Sequence, residues 1–398
     1  MADATARRYF SGVTRNTVLL AFASLFADIS SEMLYPVLPI FLTQILAASG
    51  SLVGLIEGVA EATQNIVQGF SGSLSDKLQR RKPIALVGYA LAAIAKPLIG
   101  VSTGWQGVLG GRFLDRLGTG VRSAPRDALI AASVDEQNRG RAFGLEGAGD
   151  NAGAFLGPLL AVVLLSVLHL DIRLIFYVAV IPGLLALVMI ALVGEKRSAR
   201  VAAKAKIGLA RFPSAYWKYL AVTAIFGIGN SSNAFLILQT KALGASLTST
   251  ILIYAAFNLV AALVSYPAGA LSDRLGRRNL LLASFGVFVA AYLGFALTGN
   301  VLLIGGFFIL YGLFQGIFRS AGKALASDLV TRETRASGVG WYSTTVGLSG
   351  LAASLVAGLL WDRVGHGAVF LYGAVLAVLG AVALLALVPA EPVRSSPR

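Results

Sequence analysis

Long apolar segments alternate with short polar connectors along almost the whole chain. No charged residue falls within 242–272, 279–318 or 364–390, and the second of these segments is about twice the length of one membrane-spanning helix, with a turn signal at Thr298-Gly299-Asn300. Lipid offers no hydrogen-bond partner to a free backbone, so each long segment is expected to be helical. The pattern predicts twelve membrane-spanning helices, near residues 17–46, 50–72, 84–102, 105–127, 142–167, 173–194, 217–242, 247–271, 279–297, 301–325, 337–360 and 366–389.

The composition supports a membrane protein over a set of soluble domains. Of the 398 residues, 56% are apolar and 13% are charged, and the mean hydropathy is +0.76, whereas soluble chains are about 45–50% apolar and about 25% charged. The net charge of +14 lies in short connectors, so we expect the lipid bilayer as a partner and no nucleic acid. The absence of cysteine excludes disulfides and thiolate metal sites.

The basic connectors predict the orientation of the chain. They follow the second, sixth and eighth predicted spans, and the connectors between them carry few lysines or arginines. By the positive-inside rule, both termini and the central connector are expected in the cytoplasm, which corresponds to a multi-pass protein of the inner (cytoplasmic) membrane. The basic residues on which this depends include Lys77, Arg80, Arg81, Lys82, Lys196, Arg197, Arg200, Lys204, Lys206, Arg211, Arg274, Arg277 and Arg278.

The chain contains an internal repeat. The decapeptide 72–81 (GSLSDKLQRR) reappears as 269–278 (GALSDRLGRR), a displacement of 269 − 72 = 197 residues, and Arg122-Ser-Ala reappears as Arg319-Ser-Ala at the same displacement. The repeat predicts an amino-terminal bundle of six helices over 1–194, a cytoplasmic linker over 195–216 and a second bundle over 217–398. A parallel repeat of this kind places the substrate path between the two halves.

These motifs resemble those of the major facilitator superfamily over nearly the whole chain. The Gly-x-x-x-Asp loop at 72–81 is similar to the family signature, with Gln79 where glycine is usual. Arg116-x-x-x-Gly120 resembles a motif of proton-coupled members, and Gly153-x-x-x-Gly157-Pro158 one of antiporters, although Ala161 and Val162 replace its closing glycines. Asp28 before Pro36 and Pro39 looks like the drug:proton antiporters. The resemblance implies an all-α membrane protein of twelve helices in two pseudo-symmetric bundles that works by alternating access.

Charged residues within the predicted spans are concentrated in the first half. A charge at the bilayer centre costs about 2.5–3.5 kcal/mol, so each requires a reason. Asp28 and Glu32 lie one helical turn apart on one face, and a low-dielectric cavity favours proton uptake by such a pair. The predicted proton-coupling residues are Asp28, Glu32, Arg112, Arg116 and Asp150, with Asp28 preferred because Asn233 aligns with Glu32 in the repeat. Structural ion pairing of the arginines with Asp115 and a neighbouring carboxylate is the alternative, and Lys96 is expected to be structural or to snorkel.

Three further groups of residues are predicted to act in transport. The second half offers amides instead of acids, and together with polar residues of the second span they are expected to shape a substrate cavity: Glu57, Glu61, Gln64, Asn230, Asn233, Asn258 and Gln315. The repeated loops are expected to form a conformational latch: Gly72, Asp76, Arg80, Arg81, Gly269, Asp273, Arg277 and Arg278. Basic residues at repeat-equivalent positions predict a cytoplasmic gate between the halves: Arg122, Arg126, Arg319 and Lys323.

The prediction for function is a secondary transporter, a monomer without cofactor or metal, that exports a small amphipathic or drug-like compound in exchange for protons. No ATP-binding loop is present, and both histidines lie in connectors, so neither ATP hydrolysis nor an imidazole-based site is expected. Proton- or cation-coupled transport of an anionic metabolite or a metal cation is the alternative. An intramembrane enzyme or a non-transporting receptor is a remote one.

Overall fold

The computed structural model describes residues 14–78, 80–135, 138–195, 212–331 and 334–389, without the side chains of 72–78, 273 and 336. Helices make up nearly all of this part of the chain, and no strand occurs in it. Most of the predicted linker, 196–211, lies outside the described residues, so the predicted boundaries of the two bundles stay a prediction.

The helices follow one another with short turns. In the first half they are α1 Arg15–Glu32, α2 Leu38–Ile40, α3 Gly50–Leu78, α4 Arg81–Val101, α5 Trp105–Ala132, α6 Arg139–Val162, α7 Ile172–Val178 and α8 Val180–Leu192. In the second half they are α9 Ser214–Gly229, α10 Asn233–Ala242, α11 Leu247–Leu275, α12 Arg277–Leu297, α13 Val301–Asp328, α14 Arg335–Arg363 and α15 His366–Leu387. Short π-helical segments, Phe41–Ile45 and Val163–Val167, extend α2 and α6.

Within the described residues, nine helical segments are long and apolar enough to cross a membrane. They are Arg81–Val101, Arg139–Val167, Ile172–Leu192, Ser214–Ala242, Leu247–Ser272, Arg277–Leu297, Val301–Asp328, Ser337–Arg363 and His366–Leu387. The other three long helices are α1, α3 and α5, and they carry most of the carboxylates and guanidinium groups that the sequence places inside the spans. Charge lowers the hydropathy of these three helices, so the count of twelve crossings stays a prediction.

The first helix of each half is interrupted at an equivalent position. Helix α1 ends at Glu32 before the turns of 33–37, and α9 ends at Gly229 before the break at 230–232. Since 229 − 32 = 197, the two breaks are related by the displacement of the sequence repeat. The residue equivalent to Glu32 is therefore Gly229, and the alignment of Glu32 with Asn233 is wrong by four residues.

Helices pack closely within each half by different means. In the first half, Gly149, Gly153 and Gly157 place α6 directly on the backbone of α1, because an added Cβ on each would meet an α1 carbonyl oxygen or amide nitrogen. In the second half, aromatic rings fill the core, as in the parallel stack of Phe226 and Phe285 with centroids 4.1 Å apart. The glycine motif of α6 therefore serves helix packing in this conformation.

The two halves touch through α3 with α14 and through α6 with α11. We call the end that carries the α3–α4 and α11–α12 connections the basic end, and the other the opposite end. At the opposite end, an added Cβ on Gly50, Gly54 or Gly58 of α3 would collide with α14. Toward the basic end, the Cβ positions of Gly144 and Gly147 on α6 meet nothing within 4 Å among the described residues, and Tyr266 of α11 is 86% exposed. Among the described residues, the halves approach closely at the opposite end, whereas α6 and α11 are apart toward the basic end.

Candidate functional site

A polar cavity of about 340 Å³ lies between the two halves. Its wall is formed by Glu32, Tyr35, Glu61, Gln64, Asn65, Arg116, Asn151, Ala154, Asn230, Ser231, Asn233, Tyr254, Phe257, Asn258, Ala261, Ala262, Ser265, Tyr311, Gln315, Phe318, Arg319 and Val346. Six of the seven residues predicted for a substrate cavity are in this wall. Glu57 is the exception, because its side chain is buried between helices.

Glu57 and Arg112 form a buried, two-pronged ion pair between α3 and α5. The Arg112 Nε and Nη2 atoms donate to Glu57 Oε1 and Oε2 at 2.9 and 3.0 Å, and both residues are at most 4% exposed. Arg112 Nη1 also lies 3.3 Å from Asp115 Oδ2. This arrangement matches the structural alternative for Arg112, which reaches neither Asp28 nor Glu32 with a hydrogen bond in the described part of the chain.

Lys96 completes this buried network from α4. Its Nζ lies 3.2 Å from Asp115 Oδ1 and donates to the Ala92 carbonyl oxygen at 3.0 Å, and the residue is 2% exposed. A snorkelling lysine would place its ammonium group near the interface, so the snorkelling alternative is wrong. Lys96 instead neutralises Asp115, which leaves Arg112 available for Glu57.

Arg116 lies one turn further along α5 and faces the cavity. Its Nη1 donates to Gln64 Oε1 at 3.0 Å, and its Nε is 3.7 Å from Asp115 Oδ2. The i, i+4 spacing on α5 thus places Arg112 inside the protein and Arg116 at the cavity wall. Of the two predicted arginines, Arg116 is the one that a solute in the cavity can contact.

Glu32 connects the two halves across the cavity. Tyr254 Oη and Asn258 Nδ2 of α11 donate to its Oε2 at 2.9 and 3.3 Å. Tyr254 stacks on Tyr35, with ring centroids 5.4 Å apart and planes 11° from parallel, and the Tyr35 hydroxyl is 3.2 Å from the Ser232 hydroxyl in the α9–α10 break. The carboxylate at the end of α1 is therefore held by the second half.

Asp28, one turn before Glu32, lies outside the cavity wall. Its Cβ packs where a Cβ on Gly153 would fall, and Asp150 and Arg122 are among its charged neighbours. Asp28 and Glu32 thus face different surroundings although they share a helix face. The predicted coupling set is divided in three: Glu32 and Arg116 at the cavity, Asp28 and Asp150 at α6, and Arg112 in the buried network.

The four predicted gate residues do not meet in this conformation. Arg126 Nη2 pairs with Glu146 Oε1 at 3.0 Å within its own half. Arg122 is 5% exposed, lies over the Tyr89 ring at 4.4 Å, and has no hydrogen-bond partner for Nε or Nη1 among the described residues. In the second half, Arg319 lines the cavity and Lys323 is exposed.

The described residues of the predicted latch attach mainly to their own halves. Arg80 is exposed, the Arg81 backbone N–H donates to Glu195 Oε1 at 2.7 Å, and Arg277 Nε pairs with Asp328 Oδ2 at 2.7 Å. Arg278 Nη2 donates to the Leu385 carbonyl oxygen at 2.8 Å, and the Cβ position of Gly269 is open. The structure does not describe the side chains of Asp76 and Asp273 or the surroundings of Gly72. The latch role of these three residues therefore stays a prediction.

A contact that the sequence did not indicate closes the opposite end. The Asp362 carboxylate of α14 accepts hydrogen bonds from the backbone N–H groups of Gly50 and Ser51, both at 2.8 Å, and from the Ser51 hydroxyl. It thereby caps the amino terminus of α3 in the other half. In the sequence, Asp362 is an acid at the end of an apolar span, and this position alone does not predict a contact with the other half.

Three tyrosines of the cavity were also missed. Tyr311 Oη lies 3.2 Å from Asn230 Oδ1 and 2.9 Å from Asn233 Oδ1, and so holds both amides of the α9–α10 break. Tyr254 donates to Glu32, and Tyr35 stacks on Tyr254. The sequence contains a signal for two of these tyrosines. Tyr254 and Tyr311 each stand four residues before a carboxamide, Asn258 and Gln315, in apolar segments without charged residues.

Comparison with known proteins places this architecture in a family. The sequence profile described as Major Facilitator Superfamily matches residues 20–238 and 219–398. An uncharacterized MFS-type transporter of Methanocaldococcus jannaschii is 35% identical over 383 residues, 94% of this chain and 95% of the relative.

More distant similarities extend to proteins whose names mention a compound. A probable 4-methylmuconolactone transporter of Cupriavidus pinatubonensis is 28% identical over 79% of this chain and 76% of its own length. The quinolone resistance protein NorA of Staphylococcus aureus is 27% identical over 48% of this chain and 49% of its own length. The crystal structure of the nucleoside transporter NupG shares the fold with a TM-score of 0.77 at 15% identity, and the match covers 94% of this chain and 99% of that one.

Proposed function

The chain belongs to the Major Facilitator Superfamily, a family of membrane transporters and not of enzymes, and we propose that this protein exports a small organic compound in exchange for protons. The observation that carries the proposal is the position of Glu32. It is an ionisable group in the wall of the cavity between the halves, and its hydrogen-bond partners belong to the half opposite its own.

The proposed architecture has twelve crossings in two six-helix bundles, with the basic end and both termini in the cytoplasm. The repeat, the equivalent helix breaks after Glu32 and Gly229, and the basic connectors support it. In this orientation the structure is open to the cytoplasm. Transport then requires α3 and α14 to separate at the opposite end while the basic end closes.

Protonation of Glu32 changes how the halves are joined. An ionised carboxylate only accepts hydrogen bonds, so it can take both the Tyr254 and the Asn258 donors. A protonated one is uncharged and accepts the same hydrogen bonds more weakly, so both contacts with the other half lose strength. Because the contacts join different halves, the proton binds with different free energy in different conformations, which is the requirement for coupling.

Glu32 therefore replaces Asp28 as our first candidate for the coupling site. The sequence favoured Asp28 through the alignment of Glu32 with an uncharged residue and through the resemblance of Asp28, before Pro36 and Pro39, to drug:proton antiporters, whereas the positions of the two side chains favour Glu32. Asp28 contacts α6 of its own half, so its protonation has no direct effect on the contact between halves. Arg116 lies in the same wall as Glu32 and can balance its charge.

The outward direction of transport and its coupling to protons have separate support. The Arg116-x-x-x-Gly120 and Gly153-x-x-x-Gly157-Pro158 motifs resemble those of proton-coupled members and antiporters. The similarity to the quinolone resistance protein NorA covers half of the chain and agrees with export. Neither identifies the compound.

The test uses purified protein in liposomes with an imposed pH gradient and a panel of labelled organic compounds. We expect wild-type protein to concentrate at least one compound, and Glu32→Gln to lose gradient-driven accumulation while it still exchanges the compound at equal concentrations. Glu195→Gln is the matched control, since Glu195 follows α8 and accepts hydrogen bonds from the start of α4, away from the cavity. If Glu32→Gln accumulates the compound as the wild type does and Asp28→Asn does not, the coupling residue is Asp28 and not Glu32.

A further inference from the structure

We propose that the cavity binds an uncharged, polyhydroxylated ring compound, the chemical class of sugars and nucleosides, and not an amphipathic cation. The proposal deepens the transport function above and rests on this cavity being the substrate site. It is argued from the charge balance of the wall, its hydrogen-bonding groups and its aromatic surfaces.

The charges in the wall cancel when both of its carboxylates are ionised. Two carboxylates, Glu32 and Glu61, face two guanidinium groups, Arg116 and Arg319. A charged solute would add an unbalanced charge to a low-dielectric site, and its desolvation would have to be compensated by one member of this set. An uncharged solute requires no such compensation.

Carboxamides are the most numerous polar side chains in the wall. Seven are present, and each offers both donors and acceptors: Gln64, Asn65, Asn151, Asn230, Asn233, Asn258 and Gln315. Hydroxyl groups of a solute also donate and accept, so they match such a wall better than a group that only donates or only accepts. A solute with several neighbouring hydroxyl groups can use several carboxamides at once.

Some of these polar groups have no partner within the described residues. Gln315 makes no hydrogen bond there, and Tyr311 occupies the oxygen of Asn233 but leaves its Nδ2 donors free. The Glu61 carboxylate likewise has no hydrogen bond or ion pair there, and it borders both the cavity and an adjoining pocket of about 50 Å³. These groups supply donors and an acceptor to a bound solute without breaking a contact of the protein.

One aromatic side chain provides a face for a ring. Phe318 is half-buried and borders both the cavity and the adjoining pocket, whereas Phe257 and Tyr311 stack on each other, with centroids 5.5 Å apart, and are at most 2% exposed. A flat or puckered ring can lie against Phe318 while its edge meets the carboxamides. The remaining apolar wall is made of three alanines and a valine, which is little surface for the apolar part of an amphipathic cation.

The proposal is tested by equilibrium binding in detergent, which needs no proton gradient and no transport. The probes are D-glucose, D-xylose, myo-inositol and uridine, compared with ethidium and benzoate as representatives of amphipathic cations and organic anions. We expect at least one of the first four to raise the thermal unfolding midpoint and to bind in calorimetry. Gln315→Ala should weaken that binding at least tenfold, because the substitution removes a cavity group without removing a hydrogen bond of the fold.

Asn279→Ala is the matched control, since it removes a carboxamide from the exposed start of α12. It should leave the affinity unchanged. Binding of ethidium or benzoate alone, or of none of the six probes, overturns the proposed class. A separate outcome distinguishes the two proposals. If ethidium accumulates in liposomes, driven by the pH gradient, and none of the four neutral probes binds, the proposed substrate class is refuted but proton-coupled export is not.

Discussion

At the scale of single residues, burial separates charges that maintain the fold from charges that can act on a solute. Glu57 and Glu61 lie one turn apart on α3, yet Glu57 is 2% exposed and paired with Arg112 whereas Glu61 faces the cavity. The same division holds on α5 between Arg112 and Arg116. A turn of helix is enough to change a side chain from a buried ion pair to a cavity wall.

The buried pair gives a prediction about stability. Arg112→Met leaves Glu57 as an uncompensated charge between helices, and we expect a loss of about 3–5 kcal/mol in the free energy of unfolding. The double variant Glu57→Leu, Arg112→Met removes both charges and should recover most of this loss, because Lys96 and Arg116 still neutralise Asp115. Denaturant unfolding in detergent measures both, and an equal loss in the two variants would contradict the assignment.

At the scale of helices, the contact between α3 and α14 determines which end is closed. Glycines on α3 allow the two backbones to approach, and the Asp362 carboxylate binds the free amino-terminal N–H groups of α3. Both features act between halves, and the cap lies at the opposite end. They stabilise the conformation that is open at the basic end.

Gly54→Leu tests the close approach. The added side chain overlaps the Ser354 carbonyl group, so we expect the opposite end to open. Because the chain has no cysteine, a single Ser231→Cys substitution in the cavity wall reports entry of a membrane-impermeant maleimide from that end. Labelling should be faster with Gly54→Leu than with Gly110→Leu, whose Cβ position has open space in the described structure.

Asp362→Ala tests the cap. Loss of a helix cap costs about 0.5–2 kcal/mol. A cost of about 1–2 kcal/mol raises the ratio of molecules open at the opposite end to molecules closed there by roughly 5- to 30-fold. Asn300→Ala is the control, since Asn300 caps α13 at the same end but within one half. It should lower stability without changing maleimide entry at Ser231→Cys. An equal effect of both substitutions on entry would mean that the cap does not hold the halves together.

At the scale of the whole molecule, the two halves are expected to move as units about the cavity. Among the described residues, the main contacts between halves are α3 with α14, which is the most extensive contact of any two helices, α6 with α11, and a small area between α2 and α10 near the helix breaks. Separation at one end and closure at the other changes few contacts within a half. Glu32 lies where the two halves meet, so its protonation can influence both ends.

Spin labels on paired cysteines measure this motion. Labels at Phe143 and Tyr266 on α6 and α11 report the basic end, and labels at Ser166 and Thr248 report the opposite end, where their hydroxyls are 2.6 Å apart. We expect two distance populations at each end, with the long distance at one end accompanying the short distance at the other as pH changes. A single unchanged distance at both ends across pH would contradict alternating access.

The sequence alone determined the features that depend on local pattern and on lipid as the solvent. Hydropathy predicted the helical segments, the 197-residue repeat predicted two related halves, and polar residues inside apolar spans predicted six side chains of the cavity wall. Membership of the Major Facilitator Superfamily, expected from the motifs, is confirmed by the family profile and the relatives. These inferences hold because lipid excludes most alternatives for a backbone or a charge.

Only the tertiary structure decided which charge meets which. An i, i+4 spacing shows that Asp28 and Glu32 share a helix face, but the partners of that face come from α6 and α11, more than a hundred residues away in the chain. The same holds for the pairing of Arg112 with Glu57 and for the cap that Asp362 places on α3. Ion pairs and hydrogen bonds act over a few ångströms in space, and hydropathy along the chain carries no record of which helices become neighbours.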